Sequence, residues 1–315
     1  MSAIADAESL PSLRSFLEGE WVVGEPDVVG GLAVFPLSGA WADGSFVSFA
    51  RAVAGGAEAK ELPDRPSVND IVIGNPTGSM VLLLDGEEVL GAQQNRVFDG
   101  SVMAPAGAEV RVAVCCVEKG RWDARGRGRA FRSSAQVSHP GLRGTMARRR
   151  DRTTGRTDQS VVWESVERSV VQARAVSVTT AMDDAYRERT PRLDAMVARV
   201  SLRDGQRGAV VFVGGRFVAL DWVASAEAYA DLHARLVRGY AFDAVDAVDA
   251  RARVPSAGEV ERLLGALVNV SLENGGAAGA AQRLRGVWGE GTRGEAQVSA
   301  LVVGGELAQV SMLAA

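Results

Sequence analysis

The feature of this sequence that most constrains its fold is a change in the spacing of apolar residues along the chain. Up to about residue 117 the apolar runs are short and are bounded by Gly, Pro, Asn or Asp, which is typical of strands. From Gln159 onward the spacing becomes helical, as in Val162, Val166 and Val170. This order predicts an α+β fold, in which an N-terminal antiparallel β sandwich or barrel-like half precedes a mixed helix and strand C-terminal half.

The same change in spacing indicates how the chain is divided. Residues 1–20 are expected to form an N-terminal extension, and residues 21–125 a β-rich half. Residues 126–158 are rich in Arg and Gly and are interpreted as a surface loop, or alternatively as a lid or anion-binding loop. Residues 159–315 form the α+β half, and one continuous domain over 21–315 is the alternative.

Two local patterns predict particular elements inside the β-rich half. Asp85-Gly86 separates the apolar runs Met80–Leu84 and Glu88–Leu90, and an Asp-Gly pair in that position favours a tight hairpin. Ser45–Val53 carries apolar residues at helical spacing and is expected to form a short helix.

Composition excludes several classes of function. With 47% hydrophobic residues, 23% charged residues and a net charge of −4, the chain resembles a globular protein and has no basic excess for binding nucleic acid. Its N-terminus lacks the basic start of a signal peptide, and no apolar run is long enough to cross a bilayer. We therefore expect a cytoplasmic protein without membrane contact.

The cysteines and histidines give no sign of a metal site. Cys115 and Cys116 are adjacent, so in a strand they point to opposite faces, and we interpret them as small buried side chains. His139 and His233 are far apart and lack ligand spacing, so no metal is expected and the cofactor is unknown. Nearly all cations are arginines, which we attribute to coding bias, so a single Arg is weak evidence for an anion site.

The densest polar chemistry inside strand-like sequence runs from Asp85 to Arg96, and a second polar segment, Glu118–Trp122, follows a later strand. Carboxylates can act as general acid or base when burial or a neighbouring charge moves their pKa toward neutrality, and the candidates are Glu87, Glu88 and Glu118. Arginines hold phosphates, amides bind ribose or base edges, and tryptophan stacks on flat rings. The ligand-binding candidates are Gln93, Gln94, Asn95, Arg96, Arg121 and Trp122.

A structural interpretation of these residues stays open beside the functional one. Glu87 or Glu118 could form cross-strand ion pairs with Arg96 or Arg121, and amides near turns often bond their own backbone. The functional interpretation requires the two polar segments to converge on one concave patch, which would bring Arg96 close to Trp122.

Several phrases of the sequence resemble a bacterial and archaeal family, the ADP-ribosylglycohydrolase- and rhodanese-phosphatase-associated protein domain. They are Leu82–Arg96, Ala104–Gly107, Cys116–Trp122, and Asp158-Gln159 with Val162-Trp163, and the similarity covers about residues 25–312. The resemblance implies a role near NAD or ADP-ribose metabolism and adds Gln159 to the ligand-binding candidates. Gln93 stands where relatives also carry Lys, so a phosphate at that position would lack one positive charge here.

Three functions follow as hypotheses. The first is a pocket that binds or processes ADP-ribose or a related nucleotide. The second is a non-catalytic regulatory or scaffold domain that engages an ADP-ribose-processing partner enzyme through the Arg/Gly-rich stretch or through a predicted helix at Ser225–Val248. The third is self-assembly into a homo-oligomer through exposed strand edges. The sequence leaves open whether the chain is an enzyme.

Overall fold

A computed structural model describes residues 20–123, 130–247, 253–267, 270–289 and 295–314 of the chain. Its helices and largely antiparallel sheets confirm the predicted α+β class, with a strand-rich N-terminal part that contains a closed barrel. Residues 1–19 of the expected N-terminal extension lie outside the described residues.

Six antiparallel strands close into a barrel in the order β11-β6-β5-β12-β8-β9. Their bounds are β5 Glu58–Lys60, β6 Asp70–Asn75, β8 Glu87–Gly91, β9 Arg96–Phe98, β11 Ala108–Cys116 and β12 Ala130–Val137. A three-stranded sheet packs against the barrel and consists of β4 Phe46–Ser48, β7 Met80–Leu83 and β10 Val102–Ala104. Ile71, Val89 and Phe98 are fully buried in the core that the two share. Closure removes the unpaired strand edges that an open sheet of this size would expose.

A nine-stranded antiparallel sheet forms the second β structure. Its strands are β1 Trp21–Val23, β2 Asp27–Val29, β3 Leu32–Gly39, β13 Gly208–Val213, β14 Arg216–Val223, β15 Glu273–Ala278, β16 Ala281–Gly289, β17 Glu295–Val303 and β18 Glu306–Ala314. Strand β3 pairs with β13 along its length, so the N-terminal strands and the C-terminal strands share one sheet.

The described helices are α1 Phe49–Ala54, α2 Pro140–Arg148, α3 Gln159–Ala173, α4 Met182–Glu188, α5 Thr190–Val197, α6 Ala226–Ala244 and α7 Ala257–Ala266. Asp158 and Ser225 cap α3 and α6, because each side chain accepts a hydrogen bond from a backbone N–H of the first turn. Helix α6 packs against β12 of the barrel, β4 of the small sheet and three strands of the large sheet, and α2 packs against β14, β17 and β18 of the large sheet. Apolar side chains of both helices belong to one core with residues of the barrel and of the large sheet. Within the described ranges, no helix combines the length and apolarity needed to span a membrane.

A buried ionic hub connects the barrel to the large sheet. Arg143 of α2 donates to both oxygens of Asp221 on β14, at 2.7 and 2.8 Å, and to both oxygens of Asp85 after β7, at 3.0 and 3.2 Å. Tyr240 donates to the same Asp221 carboxylate at 2.6 Å. Gly86 is required beside this hub, since its φ is +77° and a Cβ there would lie 2.7 Å from Cγ of Arg143.

The predicted hairpin at Asp85-Gly86 is wrong. Strand β7 pairs with β4 and β10, whereas β8 pairs with β9 and β12, so the turn carries the chain from the small sheet into the barrel. The Gly86 N–H donates to the Phe98 carbonyl at 3.0 Å, and Asp85 is held by Arg143 from a distant helix. These tertiary contacts decide the path of the chain after the turn.

Other expectations need correction in their bounds. Ser45–Val53 divides into β4 and α1, and the expected helix Ser225–Val248 is α6, with residue 248 outside the described residues. The stretch expected as a loop at 126–158 contains β12 and α2, while residues 126–129 are not described. Strand β12 lacks a clear apolar alternation because Arg, Ser and Gln occupy much of it, and pairing with β5 and β8 stabilises it instead.

Candidate functional site

The two polar segments of the sequence lie side by side at one end of the barrel. The Arg96 guanidinium carbon is 5.5 Å from the centroid of the Trp122 ring, so the predicted convergence of these residues is confirmed. The stretch Thr179–Met182 is held against them by backbone hydrogen bonds, from Gly120 N–H to Thr179 O at 2.8 Å and from Met182 N–H to Val117 O at 2.9 Å. Strand ends from the barrel and the start of α4 therefore meet at this place.

Glu118 is engaged by internal donors on both oxygens. Arg121 Nε and Nη2 bind it at 2.8 and 2.6 Å, Thr179 Oγ1 donates at 2.8 Å, and the Asn95 backbone N–H donates at 3.1 Å. Burial acts to raise the pKa of Glu118, but the hydrogen bonds from Arg121, Thr179 and Asn95 outweigh it, so the pKa lies below its ordinary value. Glu118 is thus an ionised anchor for the loops around it.

Arg121 holds the connection between β8 and β9 in shape. Its guanidinium donates to the carbonyls of Gly91 and Ala92, at 3.2 and 2.6 Å, and to Asn95 Oδ1 at 3.3 Å. Ala92 has a φ of +41°, a region that residues with a side chain rarely occupy, so the turn is strained. The hydrogen bonds from Arg121 stabilise this strained turn, and the Gly91 N–H also donates to Asn95 Oδ1 at 3.1 Å.

Arg96 lies beneath the surface. It is fully buried and donates to Gln94 Oε1 at 3.1 Å and to the Ser67 carbonyl at 3.3 Å, and its burial lowers its pKa. Trp122 covers it from outside and is 48% exposed. Arg96 and Gln94 therefore support the site from inside, and Trp122 is the member of this group that faces solvent.

The two remaining glutamines are also placed by the backbone. Gln159 uses both ends of its amide on Cys116: Oε1 accepts from the Cys116 N–H at 2.8 Å, and Nε2 donates to the Cys116 carbonyl at 2.9 Å. It therefore docks the start of α3 on the end of β11. Gln93 is half-buried, and its backbone N–H donates to Glu61 Oε1 at 3.2 Å.

Glu87 forms a buried ion pair. Its Oε1 lies 2.6 Å from Nη1 of Arg235 on α6, and its Oε2 accepts from the Leu84 N–H at 2.9 Å. Complete burial raises the pKa of Glu87 despite the opposing charge of Arg235. The pair ties the barrel to the long helix, and neither Glu87 oxygen is left for a ligand.

Glu88 differs from the other two glutamates. It is completely buried, its Oε2 accepts from Gln136 Nε2 at 2.6 Å and from Ser134 Oγ at 3.2 Å, and its Oε1 has no hydrogen-bond partner among the described residues. Burial, with a further contribution from the Asp183 charge, raises the pKa of Glu88 to about 8. Glu88 is therefore largely protonated at neutral pH, as a buried proton donor must be.

A cavity of about 820 Å³ opens beside these residues, and we call it the polar cleft. Asn95, Glu118 and Arg121 form one wall, and the other lining side chains used below are Phe131, Arg132, Asp183, Asp184 and Arg187. Arg187 binds Asp183 at 2.7 Å and Asp184 at 3.0 Å. Among the described lining residues the arginines and carboxylates are equal in number, so the cleft carries no net charge.

Sequence reasoning identified one wall of the polar cleft and missed the other. Phe131 and Arg132 lie in the stretch expected to be a surface loop, and Asp183 and Asp184, in the first turn of α4, are not among the predicted site residues. The signal for the carboxylates was their place in the first turn of α4, which the sequence could not connect to Glu118. Among the described residues, no group of His, Cys, Asp and Glu is arranged to hold a metal ion.

Fold and site together define a class: an α+β protein in which a closed six-stranded barrel is joined to a nine-stranded antiparallel sheet and carries a polar cleft at one end. The chain belongs to the ARPP-1 family, described as the ARG and Rhodanese-Phosphatase-superfamily-associated Protein domain, which matches residues 20–313. This match confirms the family resemblance in its coarser form, since the description states an association and names no reaction. Neither the curated proteins nor the solved structures give a significant match.

Proposed function

We propose that the protein binds ADP-ribose or a related nucleotide in the polar cleft and works beside enzymes that process ADP-ribose. The carrying observation is the cavity itself, because about 820 Å³ lies within the usual range for small-molecule sites. The association in the family description supports the same direction, with ARG taken as ADP-ribosylglycohydrolase.

The lining groups suit the ribose part of such a ligand. Asp183 and Asp184 are acceptors for sugar hydroxyls, and Phe131 offers a flat apolar surface for a base. Arg132 also lines the cleft and is the cation for a phosphoryl group. Because the described charges balance, the cleft favours a hydroxyl-rich group over a bare phosphate.

Binding, and not catalysis, is the activity that the geometry supports. Burial raises the pKa of Glu88 into the range of a general acid, and the negative charge of Asp183 adds to this rise. Pairs of carboxylates whose pKa values differ in this way can act as acid and base. Its carboxyl group is nevertheless completely buried under Ser134 and Gln136, so it does not reach a ligand in the cleft. The pairing of β12 with β8 shifts register between Ser133 and Val137, and a proton transfer by Glu88 would first require this irregular part of β12 to open.

Calorimetric titration with ADP-ribose, ADP and AMP tests this proposal. We expect ADP-ribose to bind, and Phe131→Ala and Asp183→Asn each to weaken binding by about tenfold, the effect of losing one stacking or charged hydrogen-bond contact. Phe217→Ala is the matched control, since Phe217 is half-buried on β14 outside the cleft. Absence of binding by all three ligands, or equal losses in Phe131→Ala and Phe217→Ala, would contradict the proposal.

Docking of a partner enzyme is a second candidate, favoured by exposed apolar side chains beside the cleft. Val176 and Val178 line the cleft and are 92% and 96% exposed, which is unusual for two neighbouring valines. The long helix α6 is unsuited to docking, because most of its residues are buried. Co-purification with an ADP-ribosylglycohydrolase, lost in Val176→Asp/Val178→Asp, would support this function, and retention in that variant would count against it.

A further inference from the structure

A second cavity, of about 660 Å³, lies farther along the barrel and is unlike the polar cleft in its charge. We call it the arginine cleft, and Arg111, Arg152, Arg156 and Arg283 line it together with the Thr153–Gly155 turn and the Gly-rich stretch Asn274–Gly279. The described lining residues of the arginine cleft and of the polar cleft have no member in common. The two clefts are therefore separate sites.

Three guanidinium groups crowd around one carboxylate at this cleft. Arg150 binds Asp99 at 2.8 Å, and the same carboxylate accepts from the Thr157 N–H and hydroxyl at 2.8 and 2.6 Å. Within the described part of the chain, Arg283 and Arg285 donate to carbonyls only, of Ser101 and Gly275, each at 2.7 Å. The Nε–H of all three arginines is buried without a partner among the described residues.

The other cations of the cleft do not receive enough carboxylates to compensate. Arg111 and Arg156 share Asp70, each at 2.7 Å, and Arg152 pairs with Glu273 at 2.6 Å. Asp151, in the same turn as Arg152, accepts from the Thr153 and Thr154 N–H groups. Six arginines thus stand against Asp70, Asp99, Asp151 and Glu273, an excess of two positive charges among the described residues.

The backbone makes room for this crowding. Gly100 has a φ of +109°, and a Cβ there would lie 3.2 Å from both Nη2 of Arg150 and the guanidinium carbon of Arg283. A Cβ at Gly275 would lie 2.7 Å from Nε of Arg285. Burial, with the charges of Arg150 and Arg285, lowers the pKa of Arg283 to about 10. The cations repel one another, and a bound anion would relieve that repulsion.

We propose that the arginine cleft binds a phosphoryl anion of about diphosphate size, a site independent of the polar cleft. Guanidinium groups match phosphate oxygens with paired donors, and the Thr153 and Thr154 hydroxyls add neutral ones. The volume of about 660 Å³ accommodates more than a single phosphate. The proposal goes beyond the nucleotide function, since it places a phosphoryl site where Asn95 and Glu118 do not reach.

Calorimetry with inorganic pyrophosphate and inorganic phosphate, against sodium chloride at equal ionic strength, tests this site. Arg152 is 82% exposed, so Arg152→Ala and the double variant with Arg156→Ala are expected to fold. We expect pyrophosphate to bind more tightly than phosphate, and the double variant to weaken it by about tenfold or more. Arg187→Ala, an exposed arginine of the polar cleft, is the matched control and should leave pyrophosphate binding unchanged.

Three results would overturn the phosphoryl site. The first is a heat of pyrophosphate titration no larger than that of sodium chloride, and the second is wild-type pyrophosphate affinity in the Arg152→Ala/Arg156→Ala double variant. The third is a loss of pyrophosphate affinity in Arg187→Ala equal to that in the double variant. Phe131→Ala separates this test from the nucleotide proposal, because it should retain pyrophosphate binding while it weakens ADP-ribose binding. Circular dichroism of each variant confirms that folding is unchanged.

Discussion

In the polar cleft, Arg121 and Arg187 each lie within 3.0 Å of carboxylate oxygens, on Glu118 and on the Asp183-Asp184 pair. Arg150, Arg283 and Arg285, which we call the arginine trio, lie beside the arginine cleft. Arg150 pairs with Asp99, whereas among the described residues Arg283 and Arg285 form no ion pair within 4.0 Å. The same side-chain types therefore give a neutral cleft at one place and a cationic one at the other.

The difference teaches that pairing, and not residue type, decides which polar groups are available to a ligand. Most of the polar segment Asp85–Arg96 is used by the protein itself, in the Arg143 hub, in the Glu87–Arg235 pair and around Arg121. Among the described residues, the groups that keep a buried polar atom without a hydrogen-bond partner include Glu88, near the polar cleft, and Arg150, Arg283 and Arg285, near the arginine cleft. Each carries a measurable energetic consequence.

The largest expected effect is on Arg121. Arg121→Ala should lower the free energy of unfolding by about 3–5 kcal/mol, because it leaves Glu118 buried without its cation and frees the strained turn at Ala92. Urea denaturation measures it. Arg187→Ala is the control from the same cleft; Arg187 is 68% exposed, and we expect a loss of under about 0.5 kcal/mol. Similar losses of unfolding free energy in the two variants would show that buried Arg121 stabilises the fold no more than exposed Arg187 does.

The next largest effect is the pH dependence that Glu88 confers. Its pKa is raised from 4.5 to about 8 in the folded state, so the folded protein binds more protons than the unfolded chain between these values. Stability should therefore fall as pH rises through that window, by up to about 1.4 kcal/mol per pH unit from this group. Glu88→Gln removes the titration, and the difference between the two pH profiles isolates it. Parallel profiles would show that Glu88 titrates normally.

A smaller effect is expected at Arg283, and it sharpens the contrast with Arg121. Arg283→Met loses one hydrogen bond to Ser101 but relieves repulsion from Arg150 and Arg285, so the unfolding free energy should change by no more than about 1 kcal/mol. Urea denaturation at low and high sodium chloride checks it, since salt should stabilise the wild type more than the variant. A loss of unfolding free energy as large as that of Arg121→Ala would mean that the positive charge of Arg283 is balanced by negative groups in the folded protein.

The smallest effect is on the stability of Arg152→Ala. Its ion pair with Glu273 is exposed on both sides, so we expect a change of under about 0.5 kcal/mol in urea denaturation. A larger loss would make Arg152 a structural residue and would weaken its use as a probe of the phosphoryl site.

Much of the fold could be predicted from local patterns. Short apolar runs before residue 117 form strands, as Arg96–Phe98 does in β9, and the Val162 and Val166 stripe is buried in α3. The failures have a common cause in distant partners. The path after Asp85 depends on Arg143, and β12 is stabilised by strands that a polar sequence gave no reason to pair with it.

Part of the placement of the candidate residues could be predicted from the sequence, whereas their role stays a prediction. The meeting of Arg96 and Trp122 followed from strand ends, and Glu88 was recognised as a carboxylate that burial could shift. Spacing could not show that Arg121 would form an ion pair with Glu118, because the three-residue separation is compatible both with this pair and with two groups that contact a ligand. The arginine cleft was not located, although an anion-binding loop was one alternative for residues 126–158, since its cations come from three separate parts of the chain and arginine was attributed to coding bias.

Hydrogen–deuterium exchange of the full chain with saturating ADP-ribose or pyrophosphate tests the two-cleft account most directly. We predict that pyrophosphate slows exchange at residues 152–156 and 274–279 only, and that ADP-ribose slows exchange at residues 90–95 and 179–187. Protection of the same residues by both ligands, or of neither cleft by either ligand, would contradict the account.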